Sequence, residues 1–176
     1  MDAGGFQGEV METFLRQHKD GFSFYHIVEP DAHYHCAILE RAAKGQTNQI
    51  RLYSCALSDH REILRLRNYN NANSVVRPNG EIRVQAETVD GIFSDLTCTL
   101  FKIDVEGYEL RVLRGAEKLL RRCTPVVAAA VYHNPEEFVE TYEYLNALSL
   151  GYSFFLRSYM NLQETVLYAV PEERRL

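Results

Sequence analysis

The 176-residue chain has no Cys-x-x-Cys pair, no long apolar run and no excess of positive charge. Each absence closes a class of function. Its cysteines, Cys36, Cys55, Cys98 and Cys123, are far apart, so neither the paired ligands of a structural zinc site nor a dithiol redox motif is present. Each lies among apolar neighbours and reads as a buried free thiol, in keeping with a reducing compartment. The longest apolar stretch, Val126 to Tyr132, falls well short of the roughly 20 residues that a membrane-spanning helix needs. The N-terminus has neither the basic nor the apolar region of a signal peptide, and the chain is expected to be soluble and cytoplasmic. A formal charge of −5 arises from interleaved acids and bases, which leaves no basic stripe to neutralise a phosphate backbone. Nucleic acid is not an expected partner. Repeats, linkers and low-complexity segments are missing as well, and one domain spanning residues 1–176 is expected.

What is present alternates between two periods. Glu9 to His18 places Met11, Phe14, Leu15 and His18 on one helical face behind a glycine-rich start. Phe24 to Val28 has the content of a buried strand, and Asp31 then caps a helix that runs to Lys44 and stops at Gly45. Ile50 to Cys55 is another strand. Between Ser58 and Thr88 the pattern changes: Ile63 to Arg67 and Ile82 to Ala86 alternate with a period of two, and a polar loop from Asn68 to Gly80 separates them. Thr99 to Ile103 and Pro125 to Tyr132 read as buried strands. One helix from Glu109 to Arg122 is expected between them, with a stripe of Leu110, Leu113, Ala116, Leu119 and Leu120. Pro135 opens a last helix, with Phe138, Tyr142, Leu145 and Leu148 facing inward. Tyr152 to Arg157 and Thr165 to Val170 close the chain as an antiparallel pair. This order predicts a mainly parallel, doubly wound α/β sheet with helices on both faces.

Ligands bind such a sheet at the carboxyl ends of its strands. There the chain places Asp2-Ala-Gly-Gly-Phe-Gln-Gly8, Val28-Glu29-Pro30, Ala56-Leu-Ser58-Asp59, Asp104-Val-Glu106-Gly107 and Tyr132-His133-Asn134. Gly4, Gly5 and Gly8 allow sharp turns and close approach to a ligand, with Asp2 and Phe6 in the same loop. Glu29, about twenty residues further on, is placed to accept hydrogen bonds from both hydroxyls of a ribose, which points to an adenosine-containing cofactor. The glycine spacing departs from G-x-G-x-x-G, so a dinucleotide is the weaker reading and S-adenosylmethionine the better one.

The stretch Phe101-Lys-Ile-Asp-Val-Glu-Gly-Tyr-Glu-Leu110, with Leu113-Arg-Gly-Ala116 behind it, resembles the hallmark of FkbM-type methyltransferases. Asp2 to Glu9, Val28-Glu-Pro30, Thr88-Val-Asp90, Val131 to Glu136, Phe155-Leu-Arg157 and Glu164 to Ala169 are similar to that family's other blocks, in the same order. The resemblance implies a Rossmann-like methyltransferase fold, S-adenosylmethionine as donor, and transfer to a hydroxyl oxygen of a sugar, glycolipid or natural product. It also implies that the loop containing Asn73 and Ser74 selects the substrate. Cofactor contacts are accordingly expected from Asp2, Gly4, Gly5, Phe6, Gly8, Glu29, Ser58 and Asp104.

Methyl transfer to oxygen needs alignment behind the methyl carbon and a base for the hydroxyl proton. Asp104 is the first candidate for that base and His133 the second. Glu106 is close enough to share the task, although acids near helix starts are common for electrostatic reasons alone. Arg157 is a candidate for orienting an anionic substrate, or for a salt bridge to Glu164. With no tight acidic cluster visible, no metal is expected; the less favoured variant places Asp104, His133 and Asn134 around Mg²⁺. His33 and His35 read as surface residues. The rivals are an inactive scaffold on the same fold and a nicotinamide-dependent oxidoreductase. A homo-oligomer is compatible with all three.

The family's fold also has a strand before the first glycine motif, and here only Met1 precedes Asp2. The first strand is therefore expected to be truncated, as in an N-terminally shortened form. Weak folding, a strand borrowed from a partner, or direct pairing of the strands ending at Glu29 and Asp104 would follow.

Overall fold

A computed structural model describes residues 1–18, 21–45, 48–69, 72–159 and 164–174. Its elements, in chain order, are β1 (Asp2–Ala3), α1 (Glu9–Gln17), β2 (Tyr25–Val28), α2 (Ala32–Lys44), β3 (Ile50–Tyr53), β4 (Ala56–Leu57), β5 (Glu62–Tyr69) and β6 (Ala72–Val76). They continue with β7 (Ile82–Glu87), α3 (Val89–Ile92), β8 (Leu100–Ile103), α4 (Glu109–Arg114), α5 (Glu117–Cys123), β9 (Val126–Ala130), α6 (Pro135–Ala147), β10 (Tyr152–Tyr159) and β11 (Glu164–Pro171).

Seven strands form the main sheet in the order β10-β11-β9-β8-β1-β2-β3. The strands from β9 to β3 run parallel, and β11 and β10 close the sheet in antiparallel pairing. Alternation along β2 explains the layering. Tyr25 and Ile27 pack with Met11, Leu15, Ile38 and Ala42 of α1 and α2, whereas Val28 joins a second core with Phe93, Val112, Leu119 and Leu145. The helices thus cover both faces of the sheet, as the sequence predicts.

The first strand, of two residues, takes the central place in the sheet. Asp2 pairs with both Ile27 and Lys102, Ala3 with Val28 and Ile103, and the Met1 carbonyl accepts from the Lys102 N–H. β2 and β8 are thereby kept apart, so direct pairing of these two neighbours, one of the three expected alternatives, does not occur.

Four other expectations are corrected. The helix expected from Glu109 to Arg122 breaks into α4 and α5 around Gly115, where a Cβ would stand 2.1 Å from the Ser58 carbonyl oxygen. The Asp90 carboxylate receives the N–H groups of Lys118 and Leu119 and so caps the second piece. The loop expected between Asn68 and Gly80 contains strand β6, which pairs antiparallel with β5. Together with β4 and β7 these make a second, four-stranded sheet. Along α6, Phe138 and Tyr142 are exposed, and the buried positions are Glu137, Thr141 and Leu145. Asn134 caps this helix by accepting from Glu137 N–H, with Pro135 in its first turn. All four cysteines are free, but of the expected buried thiols only Cys98 is buried; Cys55 and Cys123 are half-buried and Cys36 is exposed.

Candidate active site

The loop after β1 is shaped by contacts that exclude side chains. A Cβ on Gly4 would lie 1.7 Å from the Asp104 carbonyl oxygen, and one on Gly5 would lie 2.4 Å from Ile27 Cγ1. Gly4 also has φ +81°, a conformation that costs an L residue strain. The N–H groups of both glycines reach the Val28 carbonyl, which binds the loop to the end of β2. Beneath it, Lys102 Nζ donates to the Gly4 carbonyl at 2.6 Å and pairs with Asp2 at 3.0 Å. Asp2 in turn accepts from the Tyr25 hydroxyl at 2.7 Å. Asp2 is 1% exposed and Lys102 stands between it and the loop, so Asp2 anchors the loop from below rather than lining the cavity above.

That cavity measures about 330 Å³, within the range of small-ligand sites. Gly4, Gly5, Phe6, Glu29, Asp104 and Glu106 all line it. Glu29 is buried, and each of its oxygens holds one backbone N–H: Oε2 that of Phe6 and Oε1 that of Asp31, both at 2.8 Å. The carboxylate is therefore fixed in orientation with acceptor capacity left over. Burial raises its pKa to about 7, against the opposing pull of those two N–H groups. Apolar wall is supplied by Val28, Pro30, Ala56 and Leu57, and Tyr34 packs its ring 4.6 Å from that of Phe6. The second sheet adds Leu64, Leu66, Ser74 and Val76, with Ser74 Oγ donating to Asp31 at 2.6 Å.

At the carboxyl end of β8 the chain turns through two left-handed residues, Glu106 (φ +59°) and Gly107 (φ +92°). A non-glycine residue in that region marks a backbone constrained by its surroundings. Asp104 accepts from the Tyr132 hydroxyl at 3.2 Å and lies 3.9 Å from Lys102 Nζ. His133 sits among four carboxylates: Nε2 is 3.6 Å from Asp104 and 3.5 Å from Glu106, while Nδ1 is 3.2 Å from Glu109 and 3.6 Å from Glu137. Burial alone would lower the pKa of His133, but Glu109, Glu137 and Glu106 outweigh it and carry it up to about 10. In this state the ring holds its proton near neutrality, which disfavours His133 as the base. Glu109, rather than Glu106, satisfies the start of the turn, accepting the Val105 N–H at 2.8 Å.

Several expected contacts fall outside the cavity wall. Gly8 starts α1 with φ +88° and does not line the cavity. Ser58 is fully buried and donates to Glu62 at 2.7 Å; Cys55, Ala56 and Leu57 provide the lining instead. Arg157 is exposed and lies over the Tyr159 ring at 5.0 Å, whereas Glu164 lines the cavity. The side chain of Asn73 lies outside the described residues. His33 is exposed as expected, but His35 is half-buried, its Nε2 2.8 Å from the Glu29 carbonyl oxygen. Lys102 and Tyr34 were not legible as site residues, because a lysine inside a strand and a tyrosine on a helix read as a surface element carry no distinctive pattern; Tyr132 was placed at the carboxyl edge but given no role.

An open parallel sheet with a glycine loop and a fixed carboxylate at its carboxyl edge defines a Rossmann-like α/β domain of the methyltransferase class. The domain described as methyltransferase FkbM matches residues 2–154, and the chain belongs to the FkbM methyltransferase family. Among solved structures it is similar to the methyltransferase FkbM of Methylobacillus flagellatus KT, with a TM-score of 0.78 and 22% identity over 96% of this chain. The chain spans 42% of the length of that protein's chain. An rRNA methylase from Streptococcus thermophilus shares the fold with a TM-score of 0.55 at 12% identity, over 97% of this chain and 85% of its own. No curated protein matches the sequence at a comparable level. Among the described residues no helix is long and apolar enough to cross a membrane.

Proposed function

We propose that this chain uses S-adenosylmethionine to methylate a hydroxyl oxygen, on a sugar, glycolipid or natural product of the cytoplasm. The observation that carries the reading is the Glu29 carboxylate, held by the Phe6 and Asp31 N–H groups at the edge of a cavity lined by the Gly4–Gly5 turn. Such a carboxylate offers acceptors for the two hydroxyls of a ribose, and the apolar wall beside it suits an adenine ring. The glycine loop admits a ligand close to the backbone where any side chain would intrude. The donor set thus fits an adenosine cofactor without phosphates: Lys102, the cation nearest the loop, is occupied by Gly4 and Asp2. When bound, S-adenosylmethionine supplies an electrophilic methyl group.

The chain's own residues do the rest. Ser74 and Val76 of β6 bound the acceptor side of the cavity and orient the substrate. Asp104, partly exposed and facing the cavity, takes the hydroxyl proton as the oxygen attacks, while Tyr132 and Lys102 hold its carboxylate in place. The formal charge of −5 makes nucleic acid an unsuitable acceptor. The test is calorimetric titration with S-adenosylmethionine, followed by transfer of a labelled methyl group to hydroxylated glycans and lipids. Micromolar binding and labelled product are expected; no heat at millimolar cofactor would leave an inactive scaffold as the better reading.

A further inference from the structure

We propose that the charge cluster below the cavity is a binding site for one divalent transition-metal ion, with Asp104, Glu109 and His133 as ligands. This deepens the proposed function, since Asp104 belongs to both the cavity wall and the cluster, but the ion's binding needs neither cofactor nor acceptor. Three segments converge here: the turn after β8, the first turn of α4, and the turn between β9 and α6. Each of the three residues offers a donor atom within 4.8 Å of the others, so one ion can reach all of them.

The cluster also has an unsatisfied member. Glu109 is 0% exposed, its Oε1 lies 3.2 Å from His133 Nδ1, and its Oε2 has no hydrogen-bond partner. An ionised group so far from water is costly unless compensated. Glu137 faces the same ring nitrogen at 3.6 Å, and among the described residues no lysine or arginine forms an ion pair with either glutamate. Four carboxylates surround His133, and a divalent ion bound to a ring nitrogen brings one positive charge more than the proton it displaces. One imidazole with carboxylate oxygens suits Mn²⁺ or Zn²⁺ better than Ca²⁺, which takes oxygen ligands. A second cluster, Asp59, His60 and Glu62, lacks this imbalance, because Arg111 pairs with both acids at 3.1 Å.

The test titrates Mn²⁺ into the chelator-stripped chain without cofactor or acceptor, and follows loss of the free-ion paramagnetic resonance signal; Zn²⁺ is titrated in parallel by calorimetry. One equivalent bound with micromolar affinity is expected. Glu109→Gln should weaken binding at least about tenfold, and His60→Ala should leave it unchanged. Circular dichroism checks the fold of each variant, and if Glu109→Gln is unfolded, Asp104→Asn serves in its place. Binding of neither ion at millimolar concentration overturns the site, as does binding that survives the ligand substitution or disappears in His60→Ala. Failure of the chain to bind S-adenosylmethionine while still binding Mn²⁺ would count against the proposed function and leave the metal site standing.

Discussion

Lys102 Nζ donates to the Gly4 carbonyl at 2.6 Å while pairing with Asp2 at 3.0 Å, so one ammonium group ties the glycine loop to the central strand stub. The charge of Asp2, together with that of Asp104, keeps the lysine protonated against its burial. Lys102→Met removes the tie and leaves Asp2 buried without its cation, at a cost of about 3–5 kcal/mol. In urea unfolding, the double variant Asp2→Asn with Lys102→Met should be less destabilised than the single one, because no uncompensated charge is left. A double variant as unstable as Lys102→Met alone would show that the loop tie, not the ion pair, holds this region.

Glu29 gives a pH dependence of definite sign. Its pKa is about 7 in the fold and 4.5 without it. A carboxyl raised in this way contributes stability that is fully present below about 4.5 and lost as pH rises through about 7, here roughly 3 kcal/mol. The ligand-free protein should therefore lose stability from pH 5 to pH 8 relative to Glu29→Gln, which cannot ionise. Under the proposed function the cofactor shows the opposite trend, because the ionised form is the better acceptor. Affinity for S-adenosylmethionine should fall about tenfold per pH unit below 7, and Glu29→Ala should cost about 1–3 kcal/mol of binding. A pH-independent, unchanged dissociation constant in the variant would remove Glu29 from the site.

Asp104→Asn keeps the shape and removes the charge. If Asp104 takes the acceptor proton, turnover falls by about 10²–10⁴ while cofactor affinity changes little. Equal losses in the two would assign Asp104 to binding alone.

How far the site could be read from residues depended on whether its partners were local. Gly4, Gly5 and Glu29 were legible because each follows a strand closely, and the carboxyl edge of an open sheet is where ligands gather. Ser58 was misplaced because β3 ends at Tyr53 and the second sheet begins at Ala56, which turns the serine inward to Glu62. The break at Gly115 was hidden for the opposite reason. The apolar stripe runs through it unbroken, and what prevents a continuous helix is the Ser58 carbonyl, 57 residues away. Strand β6 starts Ala-Asn-Ser, residues of low strand propensity, and pairing with β5 overrides that preference. Burial of Glu109 had no sequence signal, since an acid in the first turn of a helix is ordinary.

The central strand yields the remaining prediction. β1 pairs only through Asp2 and Ala3, while β2 starts at Tyr25 and β8 at Leu100, two residues earlier in register. Below the stub the two strands bound a cavity of about 560 Å³, lined among others by Met1, Phe22, Phe24, Tyr25, His26 and Leu100. Phe24 and Leu100 are 51% and 39% exposed there, an unusual position for large side chains beside the middle of a parallel sheet. A strand continuing β1 backwards from Met1 would run between β2 and β8 and cover these side chains. Burying apolar surface returns about 25 cal/mol per Å², so a few such residues outweigh the cost of ordering them. Extending the chain ahead of Met1 by five or six alternating apolar residues should raise the melting temperature by several degrees. It should also slow amide exchange at His26 and Leu100, whose N–H groups face the slot. A polar extension of equal length is the control, because it cannot enter the slot. If both extensions leave melting and exchange unchanged, the two-residue stub already satisfies the centre of the sheet, and the cavity below it has no structural demand for a strand.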